Sequence, residues 1–577
     1  MNIQDQVLRR ALEVSYAHPR LRMALREGWG LLQQTTRRTG LPPLLEPAEF
    51  ADLRRLAATA ARPERDSPTV LALSTRGWST HLAIEAVVGH ALLQHGVLPI
   101  FMTCGGRLQV CDVAPVHAAP PMPCHSCRSY ATGALGAAGF DTIEVRDLVS
   151  VRQAALLARP AVQELATVDA CREYVEAGYP VGDWVRTSVL WFLSRGRLLD
   201  DAETVATYRK FLVSGSVLRQ AFAAILDTTR PRAVFLLNGA FFPERILAEL
   251  ASEREIPVTR YERGFLIGTV LVSRWRRGAD DLDPGDDAWR AVEDRPLTPT
   301  EEATVDGYLR ERMHGGGTFD NFWRDRMDDV TQIRRGLGLG EGRHLVAVFT
   351  NILWDSAIQG KDRAFASMPD WLTATIAWAR LRPDIDLVIR LHPAEVRLAN
   401  HPTRERMADH IETTVPDLPR NVRVVPSKST VSSYALLAAA RVCLTYTSTV
   451  GLEAACQGMP VVNAGITHYG DRGFTDDPAT PTRYWETVDR LIATGLSPAE
   501  RERRSRVARR YAYLFFFRFH QFLEVIDEVG RSRPRINVDS ASALRSGAVP
   551  ALDRIVENIM SGTGAVITPA SALPTAF

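Results

Sequence analysis

The chain has 577 residues, 46% of them hydrophobic and 24% charged, with a formal net charge of +2. That length exceeds one ordinary domain and predicts two large ones with additions. The near-neutral balance gives no global field for nucleic acid, and no apolar run approaches the roughly 18 residues of a membrane-crossing helix. The start, MNIQDQVLRRALEV, reads as an amphipathic helix rather than a basic-then-apolar leader, so a cytoplasmic location is expected. In that compartment the seven cysteines should be reduced, buried or metal-bound rather than paired.

Residues 1–66 read as a helical extension with Arg-rich faces. From 69 to 104 the pattern is strand, loop, helix, strand, a βαβ unit that implies a parallel sheet. Further strands are read at 233–238 and 256–262, with 151–230 mostly helical between. Residues 67–335 are therefore assigned to a first Rossmann-like domain with a Cys-rich insertion and a helical insertion. A second strand–helix alternation runs through 344–350, 370–382, 386–393, 422–425, 432–440, 442–447 and 460–465. These unbroken apolar runs suit strands buried on both faces. They assign 336–495 to a second Rossmann-like domain. Residues 496–535 are read as basic, aromatic-rich crossover helices and 536–577, rich in Ser, Ala, Pro and Gly, as a loose tail. The fold class expected is α/β, two doubly wound domains facing a cleft, with ligands beyond the carboxyl ends of the strands.

Three polar loops fall at such strand ends in the second domain. After 442-VCLTYT-447, Ser448 or Thr449 can cap a helix starting near Val450, whose N–H groups favour an anion. Thr447 lies beside them, and Gly451 would let a ligand approach the backbone. In 386-DLVIRLHPAE-395 a strand delivers Arg390, His392 and Pro393 to the same edge, where His392 can donate to a phosphate. The loop 349-FTNILWDSAIQGKDRAF-365 adds Asn351, Asp355 and Lys361, and 427-SKSTVSS-433 adds Lys428 and Ser429. Each residue also has an ordinary structural use, as a cap or a solvated charge.

In the first domain, 75-TRGWSTHLAIEA-86 places Arg76, His81 and Glu85 near the cleft. The stretch 237-LNGAFFPERI-246 places Asn238 and Glu244 on what would be the acceptor side. Glu262, in 260-RYERGFLIGT-269, ends a strand and could deprotonate a hydroxyl, or simply pair with an Arg. Cys104, Cys111, Cys124 and Cys127 form C-x6-C-x12-C-x2-C around a Pro-rich segment. They suit either a structural zinc or a set of reduced thiols, with His117 or His125 as substitute ligands. Cys171, Cys443 and Cys456 read as buried and inert. The run 501-RERRSRVARRYAYLFFFRFHQF-522 could touch an anionic membrane, but its aromatics read better as core.

The combination of RLHPAE, TYTSTVGLEAACQGMPVVNAG and 468-HYGDRGFTDDP-478 resembles the capsule polysaccharide biosynthesis family, which includes bacterial Kdo transferases of GT-B fold. The resemblance spans about residues 230–480. It implies a glycosyltransferase using a CMP-activated, Kdo-like acidic sugar and a glycan, lipid-linked or small-molecule acceptor, without a catalytic metal. It further implies that His392 and Pro393 contact the donor phosphate with Ser448 and Thr449, and that Tyr469, Gly473 and Thr475 close the donor pocket. The family's catalytic carboxylate and following glycine match Glu262 and Gly264, although Arg263 stands where a second acid is usual. A UDP- or GDP-sugar transferase, a polyol-phosphate transferase, an epimerase and a non-catalytic zinc-stapled scaffold remain the alternatives.

Overall fold

The computed structural model describes residues 18–38, 46–64, 66–157, 162–277, 283–314, 316, 327–398, 401–528 and 534–570. They divide into two units. The first comprises the chain up to Leu282, apart from Ser194–Arg197, together with His520–Val566; the second is built mainly from Asp283–Phe519.

The first unit opens its sheet with β1 (Thr69–Leu73), β2 (Leu98–Thr103), β3 (Thr142–Glu144), β4 (Ala233–Leu237), β5 (Val258–Arg263) and β6 (Thr269–Arg274). All five residues of β4 are buried. Phe235 and Leu237 face one core, shared with the helices Ser79–Gln94 and Pro550–Ser561. Val234 and Leu236 face another, shared with Val181–Leu193, Ala202–Thr229 and Phe242–Glu253. Helices on both faces explain why AVFLL is a continuous apolar run rather than an alternation.

The second unit carries β7 (His344–Phe349), β8 (Ile385–Arg390), β9 (Val422–Val425), β10 (Val442–Thr445) and β11 (Val461–Asn463) in the all-parallel order β11-β10-β7-β8-β9. Its helices start where the sequence signals: Ser367 accepts the N–H of Asp370 at 3.2 Å and Ser497 that of Glu500 at 3.2 Å. The chain then returns to the first sheet as β12 (His520–Phe522), antiparallel to β6. The full order there is β12-β6-β5-β4-β1-β2-β3, parallel from β5 to β3. In each sheet the chain reverses direction once, between β1 and β4 and between β7 and β10. Those two points are where doubly wound sheets hold ligands.

Three expectations change. Of the crossover helices read over 496–535, the basic one ends at Tyr513, passes through a π-helical turn, Leu514–Phe519, and becomes β12. Tyr511, Tyr513, Leu514, Phe515, Phe516, Phe517 and Phe519 are all buried, while Arg509 pairs with Glu302 and Asp306 and Arg504 with Asp476. The aromatic half of that run is core, as the sequence reading preferred. The tail is not loose where described: Pro550–Ser561 is a helix whose Leu552, Ile555, Val556 and Ile559 fill the first core. Its apolar spacing was masked by flanking Ser, Ala and Gly. Finally, Pro299–His314 is a helix of the second unit, so that unit begins well before residue 336. Of the N-terminal extension, the helices Pro19–Arg38 and Glu49–Ala57 are seen; residues 1–17 lie outside the described residues.

Candidate functional site

The second unit gathers three strand-end loops at its switch point. Thr350, just after β7, accepts the His392 N–H on its Oγ1 at 3.2 Å. Asn351 accepts the Thr447 N–H on its Oδ1 at 3.3 Å, tying the β7 loop to the β10 loop. The Ala394 N–H donates to His392 Nδ1 at 3.2 Å. That bond assigns the ring proton to Nε2 in the neutral imidazole. Burial, helped by the nearby Arg390 charge, lowers the His392 pKa to about 4, so the ring is neutral at physiological pH.

Arg390 is 3% exposed and donates to the carbonyls of Leu391 (3.2 Å), Pro426 (2.7 Å) and Ser429 (3.1 Å). It therefore shapes the β9 loop rather than reaching out as expected. No carboxylate pairs with it among the described residues, and burial lowers its pKa to about 10, which leaves it cationic. Pro393 follows His392 at the entrance of the short helix Ala394–Arg397. Asp355 caps the turn Ser356–Ile358, accepting Ala357 N–H at 3.0 Å. Lys361 is buried and Lys428 exposed; the Ser429 Oγ accepts Val431 N–H at 3.2 Å.

The hydroxyl-rich turn is built differently from the expectation. Thr449 is the residue before the helix Val450–Cys456 but makes no side-chain cap, and Ser448 Oγ receives Val450 N–H at 3.4 Å. Seven residues also make a weak dipole, so an anion here depends on side chains more than on the helix. Gly451 serves a neighbour rather than a ligand: a Cβ there would overlap Tyr469 Oη. Tyr469 is fully buried and its phenol donates to the Ser448 carbonyl at 2.6 Å, so it braces the turn and does not line a pocket. Gly473 has φ +80°, a turn conformation that favours glycine. Thr475 Oγ1 donates to Asp477 Oδ2 at 2.7 Å, and Asn463 Nδ2 donates to Asp477 Oδ1 at 2.7 Å. Asn463, Thr475 and the Asp471 N–H, at 3.0 Å, thus close on Asp477.

Sequence reasoning missed Asp477 and Glu453, though both lie inside quoted motifs. Glu453 is 1% exposed and accepts from Tyr308 (2.7 Å), Arg312 (2.9 Å) and Tyr434 (2.7 Å), joining three helices. A carboxylate in an otherwise apolar helix run was the available signal.

In the first unit, Glu262 ends β5 and Asn238 follows β4. Asn238 Nδ2 donates to Glu262 Oε2 at 2.7 Å, and the Arg263 N–H donates to Oε1 at 2.8 Å. Burial raises the Glu262 pKa against these two bonds. No ion pair involves Glu262 among the described residues, so it is not merely an arginine's partner. His81 packs near Trp78 and Tyr261, ring centroids 5.1 and 6.3 Å away; burial, then Arg76 and Arg263, lowers its pKa to about 3.

The other acceptor-side candidates are structural. Arg76 is 5% exposed and clamped by Glu244 and by Asp112 at 3.0 Å, with Ser188 Oγ donating to Asp112 at 2.9 Å. Its charge is consumed by two buried carboxylates. Glu85 accepts from Ser74 and from Tyr261 (2.6 Å), and burial pushes its pKa up to about 7. A Cβ on Gly264 would overlap Thr269 Oγ1, so that glycine closes the β5–β6 hairpin.

Zinc at the four cysteines is not shown. The four thiols lie near enough to raise one another's pKa, yet no three His, Cys, Asp or Glu groups converge to hold a metal among the described residues. Cys127 Sγ instead accepts the Gly77 N–H at 3.0 Å, and Cys104 Sγ the Gly106 N–H at 3.5 Å. Burial pushes Cys124 and Cys127 up to about 12, which keeps both as thiols. All seven cysteines are free.

The profile of the capsule polysaccharide biosynthesis protein family matches residues 341–506, the segment that holds β7 to β11 and the three loops. The family resemblance read from the motifs is found there. No curated protein matches the chain. Among solved structures it is similar to the β-Kdo 2,4-transferase KpsC of Thermosulfurimonas dismutans, with 17% identity over 55% of this chain and 88% of that one and a TM-score of 0.32. It is also similar to UDP-GlcNAc 2-epimerase from Neisseria meningitidis bound to UDP-GlcNAc (12%, 77% and 95%, TM-score 0.24). The glycosyltransferase SnogD from Streptomyces nogalater is a third (16%, 78% and 96%, TM-score 0.23). The sheet orders give the GT-B-like α/β class its basis: two doubly wound units in one chain.

Proposed function

We propose that the protein is a glycosyltransferase of surface polysaccharide synthesis that uses a nucleotide-activated sugar, most simply a CMP-linked acidic one. The observation that carries the reading is the end of β8. A neutral His392, with its proton on Nε2, stands beside a buried Arg390 cation that has no carboxylate partner among the described residues. A donor and an uncompensated positive charge together suit a phosphate. The family match over the same segment supports it.

In this reading the acceptor oxygen attacks the anomeric carbon and the bond from that carbon to the phosphate oxygen breaks. The nucleotide leaves with its electron pair, steadied by His392 and Arg390. The acceptor's proton passes to Glu262, whose carboxylate Asn238 orients and whose raised pKa makes it a better base.

The test is thermal stabilisation by CMP, CDP, UDP and GDP, for the native chain and His392→Ala. A ligand that binds only the folded state raises the midpoint, by about 2.7 kcal/mol of stability at a hundredfold excess over Kd. Stabilisation by CMP alone, lost in the variant, is expected. Stabilisation by UDP or GDP overturns the donor, and none by any nucleotide overturns the transferase.

A further inference from the structure

Cys104, Cys111, Cys124 and Cys127 form a quartet that neither candidate site uses. Each is part-buried, whereas Cys171, Cys443 and Cys456 are buried. Cys104 follows β2, and Cys124 and Cys127 share one face of the first turn of the helix Cys124–Ala137. Gly105 and Gly106, at φ +61° and +70°, turn the chain after Cys104. A Cβ on Gly106 would lie 3.4 Å from Cys124 Cβ, so that turn packs against Cys124. The sulfurs are mutual neighbours: charge on Cys104 acts on Cys111, Cys124 and Cys127, and charge on Cys124 acts on Cys111.

Main-chain donors are aimed at these sulfurs. The Gly77 N–H donates to Cys127 Sγ at 3.0 Å and the Gly106 N–H to Cys104 Sγ at 3.5 Å. The Val113 N–H likewise favours a charged Cys111 sulfur. A neutral thiol is a weak acceptor and gains little from such bonds. A metal-bound thiolate carries charge and takes N–H donors readily. For both Cys104 and Cys111 the donor stands two residues after the sulfur, in a segment, 104–123, that has neither helix nor strand. Burial keeps the group as thiols only while no metal displaces their protons. His125 is turned elsewhere, its Nδ1 lying 2.9 Å from Glu27 Oε2.

We infer that the four cysteines hold an iron–sulfur cluster, which staples residues 105–123 to β2 and to the helix Cys124–Ala137. Spacing decides between cofactors. A single ion draws its ligands to one point, and among the described residues no three Cys, His, Asp or Glu groups converge in that way. A cluster places several irons and sulfides between its thiolates, so its cysteines stand farther apart while still facing one another. A disulfide would use only two of the sulfurs and would remove the charge that the N–H donors serve. The inference does not depend on the sugar donor.

The test is metal analysis of the full chain, purified without oxygen and incubated with ferrous iron and sulfide under reducing conditions. Iron and acid-labile sulfide in equal amounts, about two or about four of each per chain, are expected, with a brown absorption that dithionite bleaches. Cys124→Ala with Cys127→Ala removes two ligands and should lose at least about tenfold of both elements. Cys111→Ala, in the segment without helix or strand, is a second variant with the same expectation, and circular dichroism shows that each is folded. Cys171→Ala, outside the quartet, should keep the cluster. About one zinc per chain without sulfide overturns the cluster in favour of a single ion. A chain that takes up no metal, or quartet variants that keep the cluster, overturn the site itself.

Discussion

Gly451→Ala asks directly what the glycine in the hydroxyl-rich turn is for. The added methyl would overlap Tyr469 Oη and lie 3.1 Å from Cζ. Tyr469 is 0% exposed and its phenol holds the Ser448 carbonyl at 2.6 Å, so the ring has nowhere to retreat. Overpacking of this kind costs about 1–3 kcal/mol, and loss of the phenol's hydrogen bond adds about 1 kcal/mol. For a cooperative unit of about 150–250 residues, a loss of about 3 kcal/mol lowers the midpoint by about 6–12 °C. Tyr469→Phe removes the oxygen that meets the methyl and should cost about 1 kcal/mol alone. The double variant should then be less damaged than the sum of the singles, by about 1 kcal/mol or more. Calorimetry is the assay, because a two-unit chain need not unfold in one transition. Additive costs would refute the reasoning. A Gly451→Ala protein of native midpoint that has lost nucleotide binding would refute it too, and would return the glycine to a role in ligand approach.

Glu262→Gln should lower turnover by about 10²–10⁴-fold with little change in stability, as read by initial rates and thermal midpoint. The carboxylate is the working form and its pKa is raised, so the rate falls as pH drops through that raised value. Asn238→Asp sets a second carboxyl against it and should move this acid limb to higher pH. His392 has a folded pKa of about 4 against 6.5 for the free side chain, so the unfolded chain binds its proton first. Its contribution to stability is therefore full above pH 6.5 and is lost as pH falls toward 4. Denaturant titrations of native and His392→Gln should diverge in that window, and parallel curves would refute the burial argument. Arg76→Met leaves Glu244 and Asp112 buried without their cation and should cost about 3–5 kcal/mol, partly recovered when both acids become amides. A mild, unrecovered loss in unfolding curves would show that the clamp is not structural.

The chain's architecture was legible because burial on both faces writes itself as unbroken apolar runs. AVFLL, HLVAVF and DLVIRL could hardly be anything but sandwiched strands, and their ends gave the edge where polar groups collect. Which way those polar groups turn was not legible. Arg390 and Arg76 sit at similar strand-end positions, yet one is held by main-chain carbonyls and the other by two acids, 36 and 168 residues away in sequence. Such partners arrive only with the tertiary fold, and desolvation then decides whether a charge is structural. Tyr469 fails as a pocket residue for the same reason, since its motif fixes its loop but not its side.

That distinction narrows the hydroxyl turn itself. Thr445 Oγ1 donates to Asn463 Oδ1 at 2.6 Å, and the Ser448 Oγ takes Val450 N–H. The hydroxyls of Thr447 and Thr449 have no partner among the described residues, and both residues are part-exposed. On the proposed reading, these unused donors, on the loop that Asn351 ties to the end of β7, are further groups for a phosphate. Removing both, as Thr447→Ala with Thr449→Ala, should leave the midpoint nearly unchanged, since exposed and unbonded side chains contribute within about 0.5 kcal/mol. A hydrogen bond to a charged group is worth about 1.5–3 kcal/mol, so nucleotide affinity by titration calorimetry should fall at least about tenfold. Unchanged affinity would move the phosphate away from this turn. A midpoint several degrees lower would make the hydroxyls part of the scaffold, like the tyrosine behind them.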